Sequence, residues 1–185
     1  MGKIILVLGG ARSGKSNFAC SLARKHKRVA FIATAEGGDV EMRRRIRRHR
    51  RQRPEHWKTF EEPRNILRAL SAAGEDHDCV VVDCLTLWVS NLLLAKKSEA
   101  EISRTLSEVL GVIKKAKFRT VFVSNEVGLG LVPSNTLGRV FRDIAGRVNQ
   151  LVAAAADEVY LLFSGIPFRL KPGGTRGISI ARERE

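Results

Sequence analysis

Ile4-Ile-Leu-Val-Leu-Gly-Gly-Ala-Arg-Ser-Gly-Lys-Ser16 is the stretch that decides the fold. The apolar run Ile4–Leu8 reads as a buried strand. It leads directly into G-x-x-x-x-G-K-S, with Gly9, Gly14, Lys15 and Ser16 in the fixed places and Gly10, Ala11, Arg12 and Ser13 between them. That is a phosphate-binding loop, and each part has a physical task. The glycines let backbone N–H groups curl around phosphate oxygens. Lys15 reaches the β- and γ-phosphates, and the Ser16 hydroxyl is placed for Mg2+. The following helix points its positive end at the same anion. A glycine-rich turn that binds nothing leaves the Lys-Ser pair unexplained.

Working outward, further strand signals fall at Val29–Thr34, Val80–Asp83, Thr120–Ser124 and Val159–Phe163. Most are continuous apolar runs, as expected of strands covered on both faces of a parallel sheet. Helical patterns alternate with them. Ser98-Glu-Ala-Glu101 is a capping-box start. Ile102, Leu106, Val109, Leu110 and Ile113 make one apolar stripe at helical spacing. Leu137, Val140, Phe141, Ile144, Val148, Leu151 and Val152 make a second, with Arg139–Asp143 and Asp143–Arg147 as i,i+4 pairs on its outer side. Both stripes are expected to pack into the core. The alternation predicts an α/β fold, a mainly parallel sheet flanked by helices, as one P-loop domain over residues 1–185. The tail from about Pro167 is the least regular part. Gly177-Ile-Ser-Ile180 reads either as a short edge strand or as part of a disordered end.

At 185 residues, with 44% hydrophobic and 28% charged residues, the chain has the composition of a globular domain with a substantial core. The start shows no charged, apolar and cleavage-site sequence of a secretory leader. The apolar stretch Val80–Ala95 is interrupted by Asp83, Ser90 and Asn91 and is too short to span a membrane. Cys20, Cys79 and Cys84 have neither metal-ligand spacing nor an even disulfide framework, so they read as buried thiols of a reducing compartment. The net charge of +14 predicts an anionic partner: nucleotide, nucleic acid or phosphorylated substrate. Aromatic residues are only 6%, and Trp57, Trp88 and Tyr160 do not interleave with the arginines as nucleic-acid stacking platforms do. No N-K-x-D-like segment is present for a switch GTPase.

Two further features carry chemistry. Val80-Val-Val-Asp83 ends a strand in an acid, the position that orders Mg2+ or its water beside such a loop; a helix cap or turn former is the alternative. Met42–Arg53 reads M-R-R-R-I-R-R-H-R-R-Q-R, eight arginines around a single His49. Arginines at successive positions project around a whole helix, more than a solvated face needs, and guanidinium forks bind phosphate. Cationic neighbours disfavour the imidazolium, so the His49 pKa is expected to fall and to leave a ring nitrogen free to attack. A lone histidine with no role is the alternative. Arg53-Pro-Glu-His-Trp57 reads as a rigid turn in which His56 and Trp57 pack; Glu61 and Glu62 read as caps or ligands.

Together these residues resemble a known family. Gly9–Ser16, Ile32-Ala-Thr34, the basic helix with His49, and Arg53–Trp57 are similar to the bifunctional adenosylcobinamide kinase/adenosylcobinamide-phosphate guanylyltransferases. So are Ser124-Asn-Glu-Val-Gly-Leu-Gly-Leu-Val-Pro133, Phe141–Gln150, Ala153–Glu158 and Ser164-Gly165. The resemblance runs to about Gly165. It implies a cytoplasmic enzyme of late cobalamin assembly. Such an enzyme phosphorylates adenosylcobinamide with ATP or GTP, then transfers GMP from GTP to that phosphate and releases pyrophosphate. By motif position His49 is the residue that carries GMP as a guanylyl-histidine. The resemblance places nucleotide contacts at Gly9, Gly10, Ala11, Arg12, Ser13, Gly14, Lys15 and Ser16. It adds Thr34, Ala35, Glu36, Arg50, Arg51, Gln52, Arg53, Glu61 and Asp83. Mg2+ falls at Ser16 and Asp83, and the assembly is a homotrimer without nucleic acid or membrane span. Departures are Arg48 where the family often has a second histidine, Asp83 where it often has Glu, a short basic segment His26-Lys-Arg28, and a tail after Ile166 that does not match.

Overall fold

The computed structural model describes residues 2–51 and 53–171. β1 (Ile4–Gly9) is followed by α1 (Lys15–Ala23), β2 (Val29–Ala33), α2 (Val40–Arg51), β3 (Lys58–Glu61) and α3 (Ile66–Ala73). After a short 3-10 turn come β4 (Cys79–Asp83), α4 (Leu85–Leu94), α5 (Glu99–Lys115), β5 (Arg119–Asn125), α6 (Thr136–Ala155), β6 (Glu158–Phe163) and β7 (Ile166–Lys171). The seven strands lie in the order β3-β2-β4-β5-β1-β6-β7. All neighbours are parallel except β7, which runs antiparallel to β6.

The five apolar runs become the five central strands, and their continuity has the expected cause. Alternate residues of each strand enter two cores on opposite faces. Ile4, Leu6, Ile32, Val80, Val82 and Phe122 face a layer built from α3, α4, α5 and α6. Ile5, Val7, Phe31, Val81 and Val121 face α1, which presents Ala19 and Ala23, and the buried Trp57. Only small residues on α1 let a single helix lie close to the sheet. The stretch Val80–Ala95 resolves into β4 and α4. Its polar Asn91 is a buried tie, donating to the carbonyls of Thr34 (2.8 Å) and Pro63 (3.0 Å).

Ser98 and Glu101 form the expected capping box at the start of α5. The second stripe is only partly core: Ile144, Val148 and Val152 are buried, whereas Leu137 and Val140 are exposed, because the first turns of α6 overhang the layer it packs on. Nor do the i,i+4 pairs form on its outer side. Arg139 turns back to the carbonyls of Pro133 (3.1 Å) and Ser134 (2.7 Å), and Arg147 reaches Glu99 on α5 (3.9 Å).

β3 and β7 lie at the sheet edges and do not show as apolar runs. β7 begins in the region expected to be irregular. Its hairpin turn is Ser164-Gly165, both with positive φ (49° and 86°), the conformation that joins two strands tightly. Pro167 is tolerated there because the strand is an edge. Residues 177–180, read either as a short edge strand or as part of a disordered end, lie outside the described residues. Among the described residues no helix is long and apolar enough to cross a membrane.

Phe122 is fully buried on the central strand β5. Phe122→Ala is expected to lower unfolding free energy by about 3–5 kcal/mol in urea titration, whereas Phe168→Ala on the exposed edge shifts it by about 0.5 kcal/mol or less. The Glu101 carboxyl is held down to about 2, first by the Lys97 ammonium and then by the Ser98 cap. A depressed acid stabilises the fold above its ordinary value near 4.5, and this is lost as pH falls towards 2. The melting-temperature gap between wild type and Glu101→Gln is therefore expected to be widest at neutral pH and to close at low pH.

Candidate active site

The phosphate loop leaves the C-terminal end of β1 and enters α1. Gly14 stands just before α1 with φ +88°, and a Cβ there would lie 3.3 Å from the Cα of Gly165. A Cβ on Gly9 would lie 2.4 Å from Ser13 Oγ and 2.9 Å from the Leu162 carbonyl, so residue 9 has no room for a side chain, while at residue 14 the positive φ is what calls for glycine. Ser13 N–H donates to Gly10 O (3.3 Å), and Gly165 N–H donates to Ser13 O (3.0 Å), which pins the loop against the β6–β7 turn. Lys15 is buried, and its ammonium donates to the Gly10 carbonyl (2.9 Å). No side chain caps α1, so its first N–H groups are left for an anion.

A cleft of about 570 Å³ opens over this loop, a size that suits a nucleotide. Ala11–Asn17 form one wall. The other is α2, which presents Glu41, Arg44, Arg48 and His49. The structure thus brings the half-buried His49 to the phosphate loop, across more than thirty residues of sequence. Glu41 is not among the candidate residues taken from sequence, and Arg44 and Arg48 are there only as two of the eight arginines expected to meet an anion. Their spacing, i, i+3 and i+7 along the helix that carries His49, is the signal that finds them.

Arg43 ties the helix start to the carbonyl of Gly37 (3.0 Å), and Arg50 reaches Glu61 (3.5 Å). Arg51 is exposed, and Gln52 lies outside the described residues. Arg53 lies over the Phe31 ring at 3.7 Å from its centroid, a cation–π contact. Burial pulls the Arg53 pKa down while Asp83 pushes it up. Trp57 is buried and stacks on Phe31 (6.5 Å, 26°), as expected; His56, expected to pack, is exposed.

Thr34, Ala35, Glu36, Glu61 and Asp83 sit at or just beyond the C-terminal ends of β2, β3 and β4, beside the cleft rather than in its lining. The Thr34 hydroxyl is fully buried and engaged on both sides, donating to Cys84 O (2.7 Å) and accepting from Cys84 N–H (2.8 Å). It staples β2 to the end of β4. Glu36 pairs with Arg64 (2.9 Å), and Glu62 accepts from the N–H groups of Arg64 and Asn65. Glu61 and Glu62 are thus engaged in the ion pair and the turn, respectively.

Burial holds the thiols of Cys20 (about 11), Cys79 (about 12) and Cys84 (about 11) protonated, with Asp83 adding to the effect at Cys20 and Cys84. They are inert packing groups. Among the described residues no three His, Cys, Asp or Glu side chains converge on a metal position.

A loop of this shape, running from a central parallel strand into an uncapped helix with lysine and serine at its end, defines a P-loop nucleotide-binding protein. Residues 5–170 match the family model of cobinamide kinase/cobinamide phosphate guanyltransferase. The chain belongs to that family, whose members are bifunctional enzymes, and the match runs through β7, beyond the residues that carry the resemblance in sequence. Salmonella typhimurium has a relative, a bifunctional adenosylcobalamin biosynthesis protein CobU, 42% identical over 91% of this chain and 99% of its own length. Another, CobP from Pseudomonas aeruginosa, is 43% identical over 90% of this chain and 96% of its own. Among solved structures, the fold is shared with a KaiC-like protein of Pyrococcus horikoshii (TM-score 0.51, 15% identity, 86% of this chain and 70% of that one). It is shared also with a type III secretion ATPase (TM-score 0.57, 12% identity, 88% and 51%).

Arg48→Ala is expected to raise the GTP dissociation constant about tenfold, the effect of losing one charge-assisted hydrogen bond, while guanosine binding is unchanged. Isothermal titration at two salt concentrations checks this, since the tenfold gap must narrow at high salt.

Proposed function

We propose that this chain phosphorylates adenosylcobinamide with ATP or GTP and then guanylylates the product through His49. The observation that carries the proposal is the single cleft in which His49 and the arginines of α2 face the phosphate loop. Loop N–H groups and Lys15 hold the triphosphate. A neutral His49 ring nitrogen attacks the α-phosphorus of GTP, the bond to the bridging oxygen breaks, and pyrophosphate leaves. Arg44 and Arg48 are placed to balance charge on the phosphoryl group and on the leaving pyrophosphate. The phosphate oxygen of adenosylcobinamide phosphate then attacks the same phosphorus, the N–P bond breaks, and His49 is regenerated.

Ser16, in the first turn of α1, and Asp83, at the end of β4, offer the oxygen donors that Mg2+ prefers. With no carboxylate cage among the described residues, such an ion would take its other ligands from water and substrate phosphates. Bound there, Mg2+ supplies charge neutralisation for the phosphates. The contacts of Thr34, Ala35, Glu36, Arg50, Arg51, Gln52, Arg53, Glu61 and Asp83 with nucleotide are part of this proposal, with Thr34 acting through the strand ends it staples. So is a homotrimer, which the exposed Leu129, Leu131, Val132, Leu137 and Val140 support as surfaces in need of cover. Three free thiols suit the cytoplasm as the site of reaction.

Labelling with GTP carrying an α-phosphate label tests the covalent step. Label that stays on the protein, is lost in acid, survives base, and is absent from His49→Ala is the expected outcome. The same variant is expected to keep its kinase step. Two in-line displacements also predict retained configuration at the α-phosphorus. No label on folded, GTP-binding wild-type protein would remove the covalent step and leave a P-loop kinase.

A further inference from the structure

A second cavity of about 850 Å³ lies at the opposite end of the sheet from the phosphate loop. It opens among the residues that lead into β1, β2, β4 and β5 and the end of α5. Lys3, Arg28, Lys115, Lys117 and Arg119 line it, against a single lining carboxylate, Asp78. Two of these cations are already balanced, Arg28 by Asp78 (2.9 Å) and Lys3 by Glu158 (2.6 Å). The side chains of Lys115, Lys117 and Arg119 make no hydrogen bond or ion pair among the described residues.

Backbone hydrogen bonds hold the chain together at Lys3, Arg28 and Arg119. Thr120 N–H donates to Lys3 O (2.8 Å), Arg119 N–H to Asp78 O (3.0 Å), and Asp78 N–H to Arg28 O (2.8 Å). Arg119 is half-buried, where an uncompensated guanidinium is costly. Beside it His26 has its Nε2 sealed from solvent without a partner. Burial, and then Arg119, lower the His26 pKa, and Asp78 opposes them. A different wall of the cavity is apolar: Leu70 and Phe118 are buried and Val112 is exposed.

We propose that this cavity is a second anion site, separate from the catalytic cleft, which binds a small molecule carrying a di- or triphosphate group. Lys115, Lys117 and Arg119 are its phosphate ligands. Free pyrophosphate, which guanylyl transfer releases, and a nucleoside diphosphate share this chemistry. A nucleotide would in addition lay its base on the apolar wall. The site depends on the geometry of this end of the sheet and not on the reaction assigned to His49.

The four histidines make it testable on the full chain. His26 and His77 line this cavity, His49 lines the catalytic cleft, and His56 is exposed on the turn after α2. Histidine ring NMR signals are followed while pyrophosphate, or in a separate titration GDP, is added. The His26 and His77 signals are expected to shift saturably, and to do so still in Lys15→Ala. Arg119→Gln is expected to weaken that response at least tenfold while the His49 response persists. Lys117→Gln, at an exposed position, serves the same purpose should Arg119→Gln unfold. Tighter binding of GDP than pyrophosphate assigns the apolar wall to a base; equal affinity assigns the site to the diphosphate alone. The proposal is overturned if His26 and His77 do not respond at millimolar ligand, or if their response disappears in Lys15→Ala. It is equally overturned if Arg104→Gln, an exposed charge on α5, weakens the response as much as Arg119→Gln does.

Discussion

A loop that presents bare N–H groups to a phosphate cannot spend those groups on holding its own shape. Its conformation has to be imposed from behind. Here the Gly9 carbonyl accepts from Glu126 N–H (3.2 Å), and the Ser13 carbonyl accepts from Gly165 N–H (3.0 Å). The backbone of Leu162 stands so close that residue 9 must lack a side chain, and residue 14 turns through a positive φ that suits glycine. Placing β1 between β5 and β6 follows from this need, because those two strands deliver Glu126 and Gly165 to the loop. The uncapped start of α1 completes the arrangement, since its N–H groups point where the loop's do.

Charge on α2 is divided by function. One face carries Arg44, Arg48 and His49 to the cleft. Off that face, Arg43 fastens the helix start, Arg50 reaches Glu61, and Arg53, just past the helix end, covers Phe31. Arg44 and Arg48 also make the cleft attractive to an anion. At the other end of the strands a separate basic surface forms, built from residues that are scattered in sequence and meet only through strand register.

The central strands can be read from sequence because double-sided burial demands continuous apolar residues, and Ile4–Leu8 or Val80–Val82 have no other use. The loop and capping box are equally plain, since their backbone geometry restricts residue choice. β3 is different. Lys58-Thr-Phe-Glu61 is half-exposed at an edge, so pairing with β2 rather than hydrophobicity makes it a strand. β7 likewise depends on β6, and Ser164-Gly165 is its only local sign. Leu137 and Val140 mislead because a stripe shows which face of a helix is apolar, not how far the layer beneath it extends. Among site residues, His49 stands out by being alone among arginines. Arg44 and Arg48 are hidden by abundance, because eight arginines give no reason to choose two until the helix is oriented.

The position of β1 has a consequence for biosynthesis. Its partners are β5, which begins at Arg119, and β6, which ends at Phe163. β1 therefore leaves the ribosome well before the strands it pairs with, and the pairs β2–β3 and β2–β4 form without it. Until Gly165 has emerged, the backbone at Ser13 lacks the contact that shapes it. Nucleotide cannot act as a template for the nascent chain, and a product cut short before β6 would carry the phosphate-loop sequence without a phosphate loop. Such an order also exposes β1 as an apolar strand throughout synthesis, the interval in which aggregation competes with folding.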